Sequence, residues 1–261
     1  MKLNLETGAS TAVVFSHPNH ELAIFGLLQR MQPRLIYLTD GGGEDRVAQT
    51  REGLRSIGLE DRATFFNFTE QSFYDALIEG DAGFYGQVAV RLREVFVSAP
   101  RQVLCDAIEF YNPVHDLSLP LVRAALGHDS TAAVFEVPLI HQSAESPAAY
   151  RVQRCPPSRA EEQTGVHLTA PELAAKIRAR SEIYTLLSDQ LGSVLMDLPP
   201  EHLAREVVVP AQKSFDAPSP GIVLRYDRRA QTLHGRGEVE RVILHEQNYL
   251  PLVRALAGAT S

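Results

Sequence analysis

Residues 11 to 26 read Thr11-Ala12-Val13-Val14-Phe15-Ser16-His17-Pro18-Asn19-His20-Glu21-Leu22-Ala23-Ile24-Phe25-Gly26. The four apolar residues at 12 to 15 predict a buried strand, and His17-Pro18 stops it where polar residues begin to crowd. Leu22, Ala23, Phe25, Gly26, Leu27 and Leu28 then predict a helix that opens near Asn19 and packs on a sheet through its apolar side. Two histidines, an asparagine and a glutamate therefore fall in the turn at the carboxyl end of a strand. Open α/β sheets place their ligand sites there.

The same strand-then-helix rhythm continues through the first half of the chain. Strands are predicted at 34–38, 63–68, 101–105 and 131–137, and helices at about 44–57, 69–79, 83–98 and 117–126. This alternation predicts an α/β fold with a mostly parallel sheet covered by helices on both faces. Right-handed crossovers gather the carboxyl ends of the first, second and fourth strands on one rim.

Residues 143–165 are rich in serine and proline without periodicity, and predict a long surface loop, either a lid over the site or an inert connector. Thr169, Pro171 and Glu172 open a helix expected to run to Leu191. Beyond it, extended pieces at 206–209, 221–226 and 240–245 predict a β-rich C-terminal extension whose last two pieces form a hairpin, followed by a terminal helix at 249–256. The expected division is a main Rossmann-like α/β domain over 1–192, which carries the site, and an extension over 193–261 packed against it.

The 261 residues suffice for one substantial core, and 44% hydrophobic with 22% charged residues is ordinary for a soluble globular chain. With 25 basic and 32 acidic residues the net charge is −7, and no basic run appears, which argues against nucleic acid as a partner. No apolar run reaches membrane-spanning length and no signal-peptide core opens the chain, so a cytoplasmic protein acting on a small molecule is expected, as a monomer or an oligomer. Cys105 and Cys155 form neither a paired-thiol motif nor a disulfide framework. The three glycines at 41–43 follow the second strand and lack the spacing of a dinucleotide or phosphate loop.

His17 and His20 stand three apart, so both imidazoles can reach one ion if the turn leads straight into a helical turn. The alternative is a helix cap and an ordinary polar side chain. His115, placed after a later strand as His17 is after the first, supplies a third ligand on the same rim. Two histidines from one turn and one from another leave an open coordination position, as in catalytic zinc sites, where the metal acidifies water and polarises a carbonyl. Neutral histidines equally suit iron or another divalent transition metal.

His17-Pro18-Asn19-His20-Glu21, with His115 ahead of the helix at 117–126, resembles the LmbE-like, or PIG-L-like, metal-dependent N-deacetylases. Their hallmark is His-Pro-Asp-Asp-Glu after the first strand and a distal histidine before a later helix. Thr39-Asp40-Gly41, the helix from Arg46 to Gly58, Phe135-Glu136-Val137-Pro138 and the segment 169–181 with Lys176 resemble later family segments, so the likeness runs from about 11 to 191. It implies a Rossmann-like fold without a dinucleotide, zinc held by His17, His20 and His115, and hydrolysis of an N-acetyl group on a sugar.

In that family the first aspartate of the pair is the general base and the second a metal ligand. Here Asn19 and His20 occupy those positions. His20 replaces a carboxylate ligand readily, whereas Asn19 cannot accept a proton and is left to orient water or bind substrate. Proton transfer then falls to Asp116, to Glu21 or to His245, although Asp116 and Glu21 also suit helix-terminal roles. Asp40, Tyr111 and Asn112 are substrate-binding candidates, Asp40 with a plain turn and Asn112 with an Asn-Pro turn as alternatives. Glu136, a carboxylate in an apolar strand, needs a partner and is a candidate neighbour of the metal, while His141 follows the same strand. Two other chemistries remain open: a redox or lyase reaction at a three-histidine metal, and a catalytically inactive homologue that binds a glycan or a protein.

Overall fold

The opening apolar run is strand β1 (Thr11–Phe15), buried at every residue. The computed structural model describes residues 3–6, 10–96, 99–142, 150–185, 198–213 and 224–258. In it β1 lies between two parallel neighbours, β2 (Arg34–Thr39) and β4 (Gln102–Asp106). β3 (Ala63–Phe68) continues the parallel sheet beyond β2, and β5 (Ala133–Val137) continues it beyond β4. A short ribbon of β6 (Ile140–Gln142) and β7 (Tyr150–Val152) stands apart from the sheet. β8 (Thr164–His167) pairs antiparallel with β9 (Arg205–Pro210), and β9 pairs antiparallel with β5. The seven-stranded order is β3-β2-β1-β4-β5-β9-β8. The protein is thus α/β with a Rossmann-like, mostly parallel sheet, and the chain reverses direction across the sheet between β1 and β4, where such folds leave a crevice.

Alternation along the strands feeds two cores. Val13, Phe15, Leu35 and Tyr37 face one side, against Leu27 and Leu28 of α1 (Phe25–Met31) and Leu54 of α2 (Glu44–Ser56). Ala12, Val14, Ile36 and Leu38 face the other. There they meet α3 (Glu70–Glu79), α4 (Ala82–Val95) and, after the single turn α5 (Pro113–Asp116), α6 (Ser118–Leu126). Burial on both faces is why the strands read as continuous apolar runs.

A buried ion pair fastens the antiparallel side. Lys176 Nζ, on α7 (Ala170–Arg178), lies 2.7 Å from Glu206 Oε1 of β9 and donates to the Ala23 carbonyl at 2.8 Å. Glu206 also accepts the amides of Gly26 and Leu27, so one carboxylate joins β9, α7 and the start of α1. Glu136 finds its partner in Arg159 at 2.7 Å and not beside the histidines. The expectation that it needs a partner holds, and the partner is a guanidinium.

The C-terminal region departs from the expected hairpin. After α8 (Pro200–Leu203) and β9, residues 225–235 form a helix, α9 (Arg225–Gly235), and α10 (Leu250–Gly258) closes the chain on α4 and α6. Tyr226, Ala230 and Leu233 recur at helical spacing, and that stripe outweighs the short β-like run at its start. Gly237, at φ 70°, follows in the left-handed conformation that glycine accepts without strain. Residues 143–149 of the expected loop, 186–191 of the expected helix and 221–223 of the expected hairpin lie outside the described residues, as does the side chain of His141. Among the described residues no helix is long and apolar enough to cross a membrane.

Candidate metal centre and its cavity

Ser16, directly after β1, gives its amide and hydroxyl to Asp106 Oδ2, at 2.7 and 2.6 Å. The ends of β1 and β4 are thereby held together where the sheet diverges. Pro18 and Asn19 then turn the chain, Asn19 in the left-handed conformation at φ 78°, and a 3-10 turn (His20–Ile24) leads into α1. The turn is pinned from α2: Thr50 Oγ1 accepts the Asn19 amide at 2.8 Å and donates to Asn19 Oδ1 at 3.0 Å. Arg46 donates to the carbonyls of Pro18 and Gly41, clamping the loops after β1 and β2. Gly41, at φ 64°, must be glycine on two counts, since a Cβ there would lie 2.9 Å from Pro18 Cδ.

The loop after β4 is fixed by buried carboxylates. Glu136 accepts the amide of Ile108, Asp116 those of Glu109 and Phe110, and Glu109 those of Leu139 and Ile140. Asn112 caps α5 by accepting the Val114 amide at 2.8 Å. The outcome is that His115 is delivered to His17 and His20. One ring nitrogen from each of the three lies within 4.8 Å of the others, and the ring centroids are 4.5 to 5.1 Å apart.

This cluster can bind a metal ion. Burial, then the neighbouring histidines, pushes the pKa of His17 well below the usual range, and burial followed by His20 does the same to His115, which favours the neutral ring that a metal requires. His17 Nε2 and His115 Nδ1 are buried and have no hydrogen-bond partner among the described residues. His20 Nδ1 lies 3.0 Å from Asp106 Oδ2. Burial opposes ionisation of Asp106, but His20, His115 and the Ser16 hydroxyl outweigh it and lower its pKa. An ionised carboxylate only accepts, so His20 carries its proton on Nδ1 and turns Nε2 outward. A carboxylate behind a ligating imidazole is a recurrent metal-site arrangement.

The histidines open into a cavity of about 740 Å³. Asn19 lines it, and its Nδ2 has no partner among the described residues. Tyr111 and Asn112, the substrate-binding candidates, line it too.

The expected proton-transfer groups are engaged elsewhere. Asp116 is turned onto the amides of its own loop, and burial raises its pKa. Glu21 is fully buried beside α2, accepting from Tyr184 at 2.7 Å, and burial raises its pKa as well. His245 packs among Phe110, Tyr226 and Tyr249. Asp40 Oδ1 accepts the amides of Gly42 and Glu70, the turn-forming role, and stands outside the cavity lining.

Two carboxylates escaped the sequence reading. Asp106 is the last residue of β4 and obeys the strand-end rule that singled out His17. Glu70, the first residue of α3 after β3, lines the cavity with Oε1 3.4 Å from His17 Nε2 and accepts the Tyr74 hydroxyl at 2.9 Å. An acidic residue in a first helical turn is ordinarily a dipole partner, so nothing local distinguished Glu70. Compared with protein-family models, with curated proteins and with solved structures, the chain has no match.

Proposed function

We propose that the protein is a zinc-dependent amidohydrolase, a divergent relative of the LmbE-like deacetylases, that removes an N-acyl group such as acetyl from a sugar or sugar-like metabolite. The observation that carries this reading is the trio of imidazoles on the wall of a ligand-sized cavity, at the carboxyl ends of β1 and β4. Three imidazole ligands bring no negative charge of their own, so a bound ion would keep its full charge with a coordination position left open.

When bound there, a divalent ion supplies Lewis acidity toward an acyl oxygen and lowers the pKa of water. The chain's own groups supply the remaining roles. Glu70, the carboxylate that lines the cavity beside His17, takes the proton of the attacking water and passes it to the departing amine. Tyr74 holds Glu70 Oε1 in place by donating to it. Asn19 Nδ2, its amide oriented by Thr50, donates to the oxygen on which negative charge develops. Asn19 thus provides a donor where the related enzymes have a base, and the base comes from α3.

Elemental analysis of the purified protein tests the reading, together with hydrolysis of N-acetylglucosamine derivatives. One zinc per chain is expected, lost in His17→Ala and in His115→Ala, with amine release that follows the zinc content. Absence of a stoichiometric divalent ion in the unmodified protein would sink the proposal. Stoichiometric iron with no amine release would transfer the site to redox chemistry.

A further inference from the structure

One wall of the cavity comes from a single excursion of the chain. Residues 228–242 leave from the first turn of α9 and return toward the helical turn His245–Tyr249, and Arg229, Ala230, Leu233, Val239 and Val242 among them line the cavity.

The excursion is fastened at its base. Tyr226 is buried in the core and Ile243 packs against the same core. The Arg225 amide donates to the Phe110 carbonyl at 2.8 Å, and the Arg225 guanidinium lies over the Tyr111 ring. Asp227 Oδ1 accepts the His245 amide at 2.8 Å, which ties the outgoing chain to the returning chain. Beside it, the Leu244 amide donates to Asn248 Oδ1, and Asn248 Nδ2 donates to the Leu77 carbonyl of α3.

Beyond that base the chain is held mainly by itself. None of residues 228–242 is buried. The turn after α9 closes on its own helix, the Gly237 amide donating to the His234 carbonyl and the Glu238 amide to the Leu233 carbonyl. Ala230, Leu233, Val239 and Val242 are half-buried, border the cavity and belong to neither core. Among the described residues, the ion pair that joins this segment to another element is Arg241 Nη1 to Glu79 Oε1, at the end of α3, 3.9 Å apart with both side chains more than half exposed. Such a pair contributes little and is screened by salt. A segment with few buried contacts and a weak tie opens at low free-energy cost.

We propose that residues 228–242 form a flap that swings about the Asp227–His245 staple and gates entry to the cavity, with Arg241 and Glu79 as the latch that holds it shut. The inference rests on the proposed function only in taking the cavity as the place where substrate binds. The motion itself requires neither metal nor hydrolysis.

Pulsed dipolar electron spin resonance on the 261-residue chain tests this, in a Cys155→Ser background that leaves the buried Cys105 in place. Spin labels go on the exposed positions Gln231→Cys of α9 and Ala48→Cys of α2. Two distances are expected, and Glu79→Arg, which sets like charges face to face, should raise the longer population relative to the shorter by about fivefold or more. Added salt should act in the same direction, and the swapped pair E79R/R241E should restore the original ratio. A second label pair on the body, Ala48→Cys with the exposed Val90→Cys of α4, should keep one distance throughout. Access is read separately: the thiol of Ile140→Cys, on the buried cavity wall, should react with a bulky maleimide faster in Glu79→Arg, in proportion to the longer population.

A single distance unmoved by Glu79→Arg and by salt would overturn the proposal. So would a change that the swapped pair does not reverse, a second distance in the body pair, or thiol reactivity that ignores the open population. The measurements are made on chelator-treated protein, so failure of the hydrolytic reading, which shows as absent zinc in the untreated protein, leaves them unaffected.

Discussion

Glu70 is the residue on which the hydrolytic reading turns. Replacing it by glutamine keeps the shape and the Tyr74 contact but removes proton transfer, so Glu70→Gln should lower kcat by roughly a hundred- to ten-thousand-fold while zinc remains stoichiometric. A variant with unchanged kcat would return the proton to another group. Asp106 acts at one remove, by setting the tautomer and direction of His20. Asp106→Asn should therefore weaken divalent-metal binding by about ten- to a hundredfold, read by competition with a chelator, and an unaltered affinity would mean that His20 is held by packing alone. Asp116 illustrates how sequence adjacency misleads. Beside His115 on a single helical turn, it points about 100° away from it, onto the Glu109 and Phe110 amides.

At the scale of elements, β9 and α7 are joined to α1 by charges in an apolar setting. Lys176→Met would leave Glu206 buried without its cation, at a cost of about 3–5 kcal/mol in a urea titration; a loss under about 1 kcal/mol would show that the Gly26 and Leu27 amides suffice to hold the carboxylate. The neighbouring pair Arg30 and Glu172 gives a pH-dependent contribution. The Arg30 guanidinium, against a smaller opposing effect of burial and with help from the Thr169 amide, lowers the Glu172 pKa from 4.5 to about 2. A carboxyl with a depressed folded pKa stabilises the fold above its unfolded value, and that contribution fades as pH falls from about 4.5 toward about 2. The stability gap between the unmodified protein and Glu172→Gln should therefore narrow over that interval. A gap independent of pH would mean that the pair contributes through packing.

Across the whole molecule, the parallel half of the sheet was legible because strands buried on both faces leave uninterrupted apolar runs, as at 12–15 and 35–38. The three histidines were legible because each follows such a run in a polar turn. The cavity wall was not: Arg225 and Arg229 belong to a largely polar helix whose apolar stripe makes sense only once Tyr226 is seen against the core formed by α3, α4 and α6. Tyr226, Tyr249, Leu252 and Val253 complete that core, so a chain ended after Lys213 should bind an apolar dye strongly and melt at a lower temperature. A truncated chain as stable as the full one would detach this segment from the fold. The position of β9 also sets an order of events during synthesis. His17, His20 and His115 leave the ribosome early, yet β8 reaches the sheet only through β9, which lies later in the chain. Until Arg205–Pro210 has emerged, the outer edge of β5 presents unpaired backbone and β8 has no strand to join. A nascent chain can thus gather its three histidines while its sheet is still open, and the interval between those two moments is when it is most exposed to pairing with another copy of itself.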